Sequence, residues 1–317
     1  MTEVETLEAE FAELHGMKHA IAVSEGANAI MVAALKNAGM IKPGDKAVVP
    51  AIASSALYEP LVKVGLELLL GDTDDTWNMA SIPITYPEPD SVKPSLIVGC
   101  STLGNPGHLA WLAKISDEIG AVFVEDNSDG LGAWSVGRAP VTERRARISS
   151  KTTPNFKRCG TFGSISTFSI GDIGVILTND DMLAYPCRGF RTMPSEESAA
   201  KAREQLAALT ESVRQRTQNY NNFETWAIGL GDKIKMPRKN GVISPRIIHF
   251  EVKDFAARHN LVLALRGVDE CDRIYAPAGD QQPRAAQIRE RGMMIANPPV
   301  PCDDMLQKVL DIMEKTL

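Results

Sequence analysis

The chain of 317 residues has few cysteines, few aromatic residues and no long apolar run. Its five cysteines are scattered without CxxC spacing, which argues against a zinc site or a disulfide framework and favours reduced thiols in a cytoplasmic protein. No apolar stretch approaches membrane-spanning length, and the acidic start lacks the apolar core of a signal peptide. The net charge of −6 argues against nucleic acid as the main partner. We therefore expect a cytoplasmic globular protein that acts on a small molecule.

Apolar strands alternate with helical segments along the first half of the chain. Short apolar runs typical of buried strands occur at residues 20–24, 47–49, 66–70, 96–98 and 121–124. Helical patterns lie between them, notably at residues 58–64 and 108–119. Such strands, separated by helices, predict an α/β fold with a mostly parallel sheet covered on both faces.

The pattern changes after residue 180. Residues 195–226 are charged and partly amphipathic, which predicts one long helix between two lobes. The last third is predicted to contain strand 242–252, helix 253–265, strand 293–296 and a final helix that Asp303 caps. The expected domains are a large α/β domain over 1–190, a connecting helix over 191–234 and a small α+β domain over 235–317.

One acidic residue, Asp126, ends an apolar strand. In an open α/β sheet this position lies at the crevice where ligands bind. A carboxylate there can bind a protonated pyridine nitrogen through a charge-assisted hydrogen bond, although Asp126 has the alternative role of capping the next loop. The turn at residues 24–28 precedes a helix and Ser169 follows another strand, so both are candidate phosphate contacts or simple turn residues.

Several segments occur in an order that is typical of one family. They are residues 11–24, 43–45, 50, 76–79, 160–163 and 178–180. Together they resemble the DegT/StrS-type sugar aminotransferases and sugar 3-dehydrases. Residues 102–106 and 125–132 are similar to the 3-dehydrase branch, which makes 3-deoxy sugars on nucleotide carriers. The matching segments are frequent from about residue 7 to 180, and beyond that they are sparse but in the family's order.

The resemblance implies the aspartate-aminotransferase-like fold (fold type I of pyridoxal phosphate enzymes) and a homodimer with sites at the subunit interface. It assigns Asp126 to the pyridinium nitrogen of the cofactor and Ser169 to its phosphate. Gly26 and Ala27 match the family's phosphate turn. No catalytic residue is assigned.

The chain departs from the family pattern in several places. Ala27 stands where the family usually has a hydroxyl residue, which removes one phosphate hydrogen bond of about 1–2 kcal/mol. The loop that carries the cofactor lysine, or histidine in 3-dehydrases, is cut to Gly171 and Asp172, so no lysine lies between Ser169 and Thr178. The chain also begins where the family's N-terminal segment would be expected to be complete already, and the dehydrase's cysteine cluster for iron–sulfur binding is absent from this sequence. Pyridoxal phosphate or pyridoxamine phosphate is therefore expected to bind noncovalently, without an internal aldimine, if at all.

An insertion at residues 141–158 contains six basic residues. It is either a solvated loop or a clamp for the diphosphate of a nucleotide sugar, since Arg and Lys suit phosphate. The candidate substrate contacts are Arg144, Arg145, Arg147 and Lys157, together with His108 near the predicted crevice. Lys151 and Lys157 are the only nearby lysines that a mobile insertion could bring to the cofactor.

These observations leave three hypotheses about function. The first is a divergent sugar aminotransferase or 3-dehydrase homologue that acts in nucleotide-sugar metabolism without an internal aldimine. The second is a non-catalytic pseudoenzyme subunit that pairs with an intact paralogue, which makes the assembly a heterodimer instead of a homodimer. The third is a fold reused for binding without a cofactor.

Overall fold

A computed structural model describes residues 1–83, 93–133, 163–265 and 282–317. Its strands are β1 (His19–Val23), β2 (Lys46–Pro50), β3 (Glu67–Gly71), β4 (Leu96–Cys100), β5 (Val122–Asn127), β6 (Ile165–Ile170), β7 (Ile173–Thr178), β8 (Ile234–Lys235), β9 (Ile247–Val252) and β10 (Gly292–Ala296). Its helices are α1 (Glu3–His15), α2 (Ala27–Asn37), α3 (Ser55–Lys63), α4 (Leu109–Ile119), α5 (Asp181–Phe190), α6 (Glu196–Ala207), α7 (Leu209–Ala227), α8 (Phe255–Ala264), α9 (Pro283–Arg291) and α10 (Asp303–Thr316).

Seven strands form the large sheet, in the order β1-β7-β6-β5-β4-β2-β3. Only β7 runs against the others, because it pairs antiparallel with both β1 and β6 while the remaining pairings are parallel. The prediction of a mostly parallel sheet is confirmed. Strand β5 occupies the centre, so its carboxyl end lies in the middle of the ligand-binding edge.

Helices cover both faces of this sheet. On one face α2, α3 and α5 pack on side chains such as Val49, Val98 and Val124. On the other face α1, α6 and α7 cover the β1–β7–β6 side, and α4 covers β4 and β5. Neighbouring residues of one strand, such as Phe123 and Val124, contact different helices because side chains alternate along a strand.

The second sheet has three antiparallel strands in the order β10-β9-β8. Helices α7, α8 and α10 pack on it through a separate apolar cluster that includes Phe223, Phe250 and Leu306. Over the described ranges, no helix is both long and apolar enough to cross a membrane.

The second half of the chain differs from the sequence prediction in two details. The stretch predicted as one helix over 195–226 forms α6 and α7, which are separated at Ala208, where the backbone has φ −85° and ψ 1°. The strand predicted to begin at residue 242 begins at Ile247. Pro245 has no N–H for a strand ladder, and Ser244 instead donates its backbone N–H to Gly104 O at 2.8 Å. The division into domains at residues 190 and 234 stays a prediction.

Candidate functional site

Asp126 lies near the carboxyl end of the central strand β5. In the ladder it pairs with Cys100 of β4 on one side and with Thr167 of β6 on the other. Its side chain shares a sheet face with Val124, so it points to the side that α2 covers. Asp126 is buried, with 8% of its surface exposed, and therefore needs hydrogen-bond donors nearby.

Those donors come from the loop after β5 and from α2, and the Thr167 hydroxyl of β6 lies nearby. Oδ1 of Asp126 accepts from the backbone N–H of Ser128 at 3.1 Å and from its hydroxyl at 2.6 Å, and it lies 3.3 Å from the Thr167 hydroxyl. Oδ2 accepts from Nδ2 of Asn28 at 3.2 Å. These donors are uncharged, so they orient the carboxylate without neutralising it.

The amino-terminal end of α2 lies beside this carboxylate. Gly26 precedes the helix in a left-handed conformation (φ 69°, ψ 31°), and no side chain caps the helix within the described part of the structure. The left-handed backbone favours glycine at this position. Backbone N–H groups and the helix dipole make such an end suited to phosphate. The first helical residue is Ala27, which supplies no hydroxyl.

Strands β6 and β7 meet through the two residues Gly171 and Asp172. Ile170 pairs directly with Ile173, and Gly171 has φ 60°, as a tight two-residue hairpin requires. The hairpin packs closely on α2, because a Cβ added at Gly174 would lie 2.8 Å from Ala27 Cβ. Gly171 and Asp172 are therefore the whole connection between these two strands.

Ser169 lies on β6 two residues after Thr167. The period of a strand places both side chains on the face that carries Asp126. Ser169 is half-buried and pairs with Gly174 in the hairpin register. The structure thus brings Ser169, Gly26, Ala27 and Asp126 to one edge of one sheet face, while their role in cofactor binding stays a prediction.

A crevice of about 200 Å³ opens in front of Asp126. Its wall combines the ends of β2, β4 and β5 with Met294 of the small sheet, and includes Ala53, Cys100, Thr102 and Asp129. No lysine belongs to the described part of this wall. The pocket is smaller than those that enclose drug-sized ligands, roughly 300–1,000 Å³, so its described part suits one small ring.

Burial and nearby negative charge raise the pKa of two groups in the crevice wall. Desolvation by the crowded wall raises the pKa of Asp129, and the charge of Asp126 adds to this, while Arg246 and the backbone of Leu103 act in the opposite direction. Desolvation also raises the pKa of the Cys100 thiol well above its usual value, and both aspartates contribute. Cys100 is therefore a protonated thiol at neutral pH and a poor nucleophile.

His108 lies in the junction between the two sheets, and is not among the described residues that line the crevice. Its Nε2 is 3.2 Å from Oδ2 of Asp74, and its Nδ1 is 3.4 Å from Nδ2 of Asn240. Its role as a substrate contact stays a prediction. Residues 141–158 lie outside the described residues, and with them the predicted substrate contacts Arg144, Arg145, Arg147 and Lys157 and also Lys151.

Sequence reasoning assigned no role to three residues that contact Asp126 directly, which are Asn28, Ser128 and Thr167. Asn28 belongs to the turn at residues 24–28, but only Gly26 and Ala27 of that turn were assigned a role. Thr167 shares its strand face with Ser169, so period-two alternation was the signal that would have pointed to it. Local sequence patterns cannot predict the contact between Asn28 and Asp126, because the two residues are 98 positions apart.

The chain is similar in sequence to proteins of one known family. Residues 2–237 match the model of the DegT/DnrJ/EryC1/StrS aminotransferase family. GDP-4-keto-6-deoxy-D-mannose 3-dehydratase of Escherichia coli O55:H7 is 31% identical over 189 residues, covering 57% of this chain and 45% of that protein. GDP-perosamine synthase of Vibrio cholerae is 25% identical over 192 residues, covering 58% of this chain and 46% of that protein. The chain thus aligns with less than half the length of these relatives.

Solved structures share the fold over nearly the whole chain. An Escherichia coli GDP-4-keto-6-deoxy-D-mannose-3-dehydratase with bound hydrated PLP superposes with a TM-score of 0.80 at 22% identity, covering 99% of this chain and 92% of that one. The aminotransferase TlmJ from Streptoalloteichus hindustanus gives 0.81 at 20% identity, covering 100% and 91%. The aspartate-aminotransferase-like fold expected from the sequence is confirmed.

Proposed function

The chain belongs to the DegT/DnrJ/EryC1/StrS aminotransferase family, and from this membership we propose that it binds pyridoxal phosphate or pyridoxamine phosphate noncovalently. We further propose that it acts on a nucleotide sugar or a related keto compound in deoxy- or amino-sugar metabolism. The observation that carries the proposal is the Asp126 carboxylate, which uncharged donors hold at the centre of the ligand-binding edge.

The donor chemistry of the site fits such a cofactor. Among the described residues, Oδ2 of Asp126 accepts one hydrogen bond, from Asn28, and a carboxylate oxygen has capacity for a second. A protonated pyridine nitrogen is a donor that would also neutralise the charge. At the other end, the uncapped start of α2 after Gly26 offers N–H groups to a phosphate.

The cofactor, when bound, supplies an electron-withdrawing ring. Asp126 would hold the proton on the ring nitrogen, and the start of α2 with Ser169 would bind the phosphate. The side chain of Ala27 supplies no phosphate hydrogen bond, and the hairpin at Gly171 supplies no lysine. Binding should therefore be weak and reversed by dialysis.

An absorbance titration of the purified protein with each cofactor form, followed by dialysis, tests this proposal. We expect saturable spectral changes that dialysis removes. Borohydride reduction and peptide mapping then determine whether any lysine forms a covalent bond. A stable phosphopyridoxyl adduct on Lys151 or Lys157 would refute noncovalent binding, and the absence of any saturable change would refute the cofactor site.

One observation favours a second candidate function, a non-catalytic subunit that pairs with an intact paralogue. The β6–β7 hairpin closes within Gly171 and Asp172, so no lysine between these two strands can hold a cofactor or move a proton. Activity measured with and without a purified paralogue tests this function. Turnover by this chain alone would exclude it, and turnover only in the mixture would support it.

A further inference from the structure

Asn28 contacts two partners from the first turn of α2. Its Nδ2 donates to Oδ2 of Asp126 at 3.2 Å, and its Oδ1 accepts from the Thr167 hydroxyl at 2.8 Å. Asn28 is buried, with 7% of its surface exposed. The side chain therefore spans from one strand to the next beneath the start of the helix.

The chemistry of the partners determines how the amide is turned. An ionised carboxylate only accepts hydrogen bonds, so the NH₂ group of Asn28 must face Asp126. The Thr167 hydroxyl has one proton and lies closer to Asn28 Oδ1 (2.8 Å) than to Asp126 Oδ1 (3.3 Å). The hydroxyl therefore donates to the amide and holds it in this orientation.

We infer that Asn28 is a positioning residue that holds Asp126 Oδ2 in place and ties it to the amino-terminal end of α2. The inference rests on the proposed function in one respect, because the two ends that Asn28 connects are those assigned to the ring nitrogen and the phosphate of one cofactor. Asn28 is the second residue of α2, so any movement of the helix start moves the donor of Asp126. Contacts at the phosphate end and at the ring end are then coupled.

The first test needs no cofactor. In protein labelled with ¹³C at the aspartate carboxyl carbons, the Asp126 signal is assigned by its loss in Asp126→Asn. Removing the Asn28 donor by Asn28→Ala should move the Asp126 carboxyl resonance at neutral pH, because one hydrogen bond to the carboxylate is lost. Asp129 and Cys100, whose pKa values the charge of Asp126 helps to raise, are unchanged in the variant. An unchanged Asp126 resonance would overturn the inference.

The matched control is Asn37→Ala, at the exposed carboxyl end of the same helix, which should leave the Asp126 carboxyl resonance unchanged. The second variant is Thr167→Val, which preserves volume and removes the hydroxyl that orients the amide. It should move the Asp126 carboxyl resonance in the same direction as Asn28→Ala but by less. If Asn28→Ala does not fold, Thr167→Val still tests the inference.

The second test measures pyridoxamine phosphate affinity by absorbance titration. Asn28→Ala should weaken binding about tenfold, in line with the loss of one hydrogen bond to a charged group. In an Asp126→Ala background the same change should have less than a twofold effect, because its target is gone. Equal effects in both backgrounds would overturn the coupling. If the unmodified protein binds no cofactor, the proposed function fails, whereas the inference is then decided by the Asp126 carboxyl resonance.

Discussion

The crevice and the junction between the two sheets both concentrate acidic side chains, and they hold them with different partners. In the junction, Asp74 lies 2.8 Å from the guanidinium of Arg238, and Asp75 lies 2.8 Å from Lys235. The buried Glu251 pairs with Arg284 there. In the crevice, Asp126 accepts only from amide, hydroxyl and backbone donors among the described contacts.

The difference separates carboxylates that pair with charged side chains from one whose described donors are all uncharged. Burial opposes ionisation of Asp74, but hydrogen bonds from Thr76 and the neighbouring His108 outweigh it and lower the pKa of this carboxyl. Its charge is thus balanced within the protein. The donors of Asp126 orient its carboxylate but do not balance its negative charge. A cationic group of a ligand would balance that charge. We therefore expect junction variants to change stability and crevice variants to change binding.

The largest expected effect is on stability, from Arg284→Met. The change leaves Glu251, which is almost fully buried, without its bidentate partner at 2.7 and 2.5 Å. Breaking one side of a buried pair costs about 3–5 kcal/mol. Denaturant unfolding measures the loss. The matched control is Lys235→Ala, whose ion pair is half exposed and should cost about 0–1 kcal/mol. Equal losses of unfolding free energy in the two variants would contradict the stated difference between the buried and the exposed ion pair.

The second expected effect is an acid-dependent loss of stability from His249, which packs on Trp77 in the same junction at a ring distance of 4.8 Å. Burial lowers the pKa of His249 from 6.5 to about 4. The unfolded chain therefore binds the proton first as the pH falls, so stability is intact above pH 6.5 and declines toward pH 4. The loss over this range is on the order of 3 kcal/mol, at 1.36 kcal/mol per pKa unit.

Denaturant unfolding at pH 7 and pH 4 measures this effect. In His249→Phe the loss between the two pH values should be smaller than in the unmodified protein by that amount. The variant His259→Phe is the control, because His259 is exposed. If His249→Phe and His259→Phe show the same dependence on pH, the burial of His249 does not contribute as described.

The third expected effect is on binding, from Asp126→Ala. Loss of a charge-assisted hydrogen bond costs about 1.5–3 kcal/mol, which corresponds to roughly a 10- to 150-fold weaker affinity for pyridoxamine phosphate. Absorbance titration measures the affinity. Asp75→Ala, which removes a junction carboxylate, is the control and should leave the affinity unchanged. Cofactor binding that survives Asp126→Ala at full strength would refute the site assignment.

The smallest expected effect comes from Gly174→Ala, which tests how closely the β6–β7 hairpin packs on α2. The new Cβ would lie 2.8 Å from Ala27 Cβ and 3.0 Å from Val23 Cγ2. Overpacking of this kind costs about 1–3 kcal/mol. The control Gly189→Ala lies in α5 with no atom within 4 Å and should be neutral or stabilising. Denaturant unfolding compares them, and equal stabilities would show that the hairpin can move away from α2.

Local pattern was sufficient for much of the fold. The apolar runs that became β2, β4 and β5, the spacing of α10 and the position of Asp126 at a strand end were all predictable, because each depends on side-chain period and on neighbours in the chain. The helix break at Ala208 was not predicted. The strand start at Ile247 was placed five residues too early, because the contact of Ser244 with Gly104 spans 140 residues of sequence.

The sequence by itself determined the sheet, the absence of a lysine between Ser169 and Thr178, and the acidic residue at the central strand end. Only the tertiary structure decided what holds that residue. Strand order placed Thr167 beside Asp126, and the packing of α2 brought Asn28 to it across 98 positions. Packing likewise placed His108 against Asp74 in the junction. The physical reason is that period and propensity act over a few residues, whereas these contacts depend on how distant segments pack together.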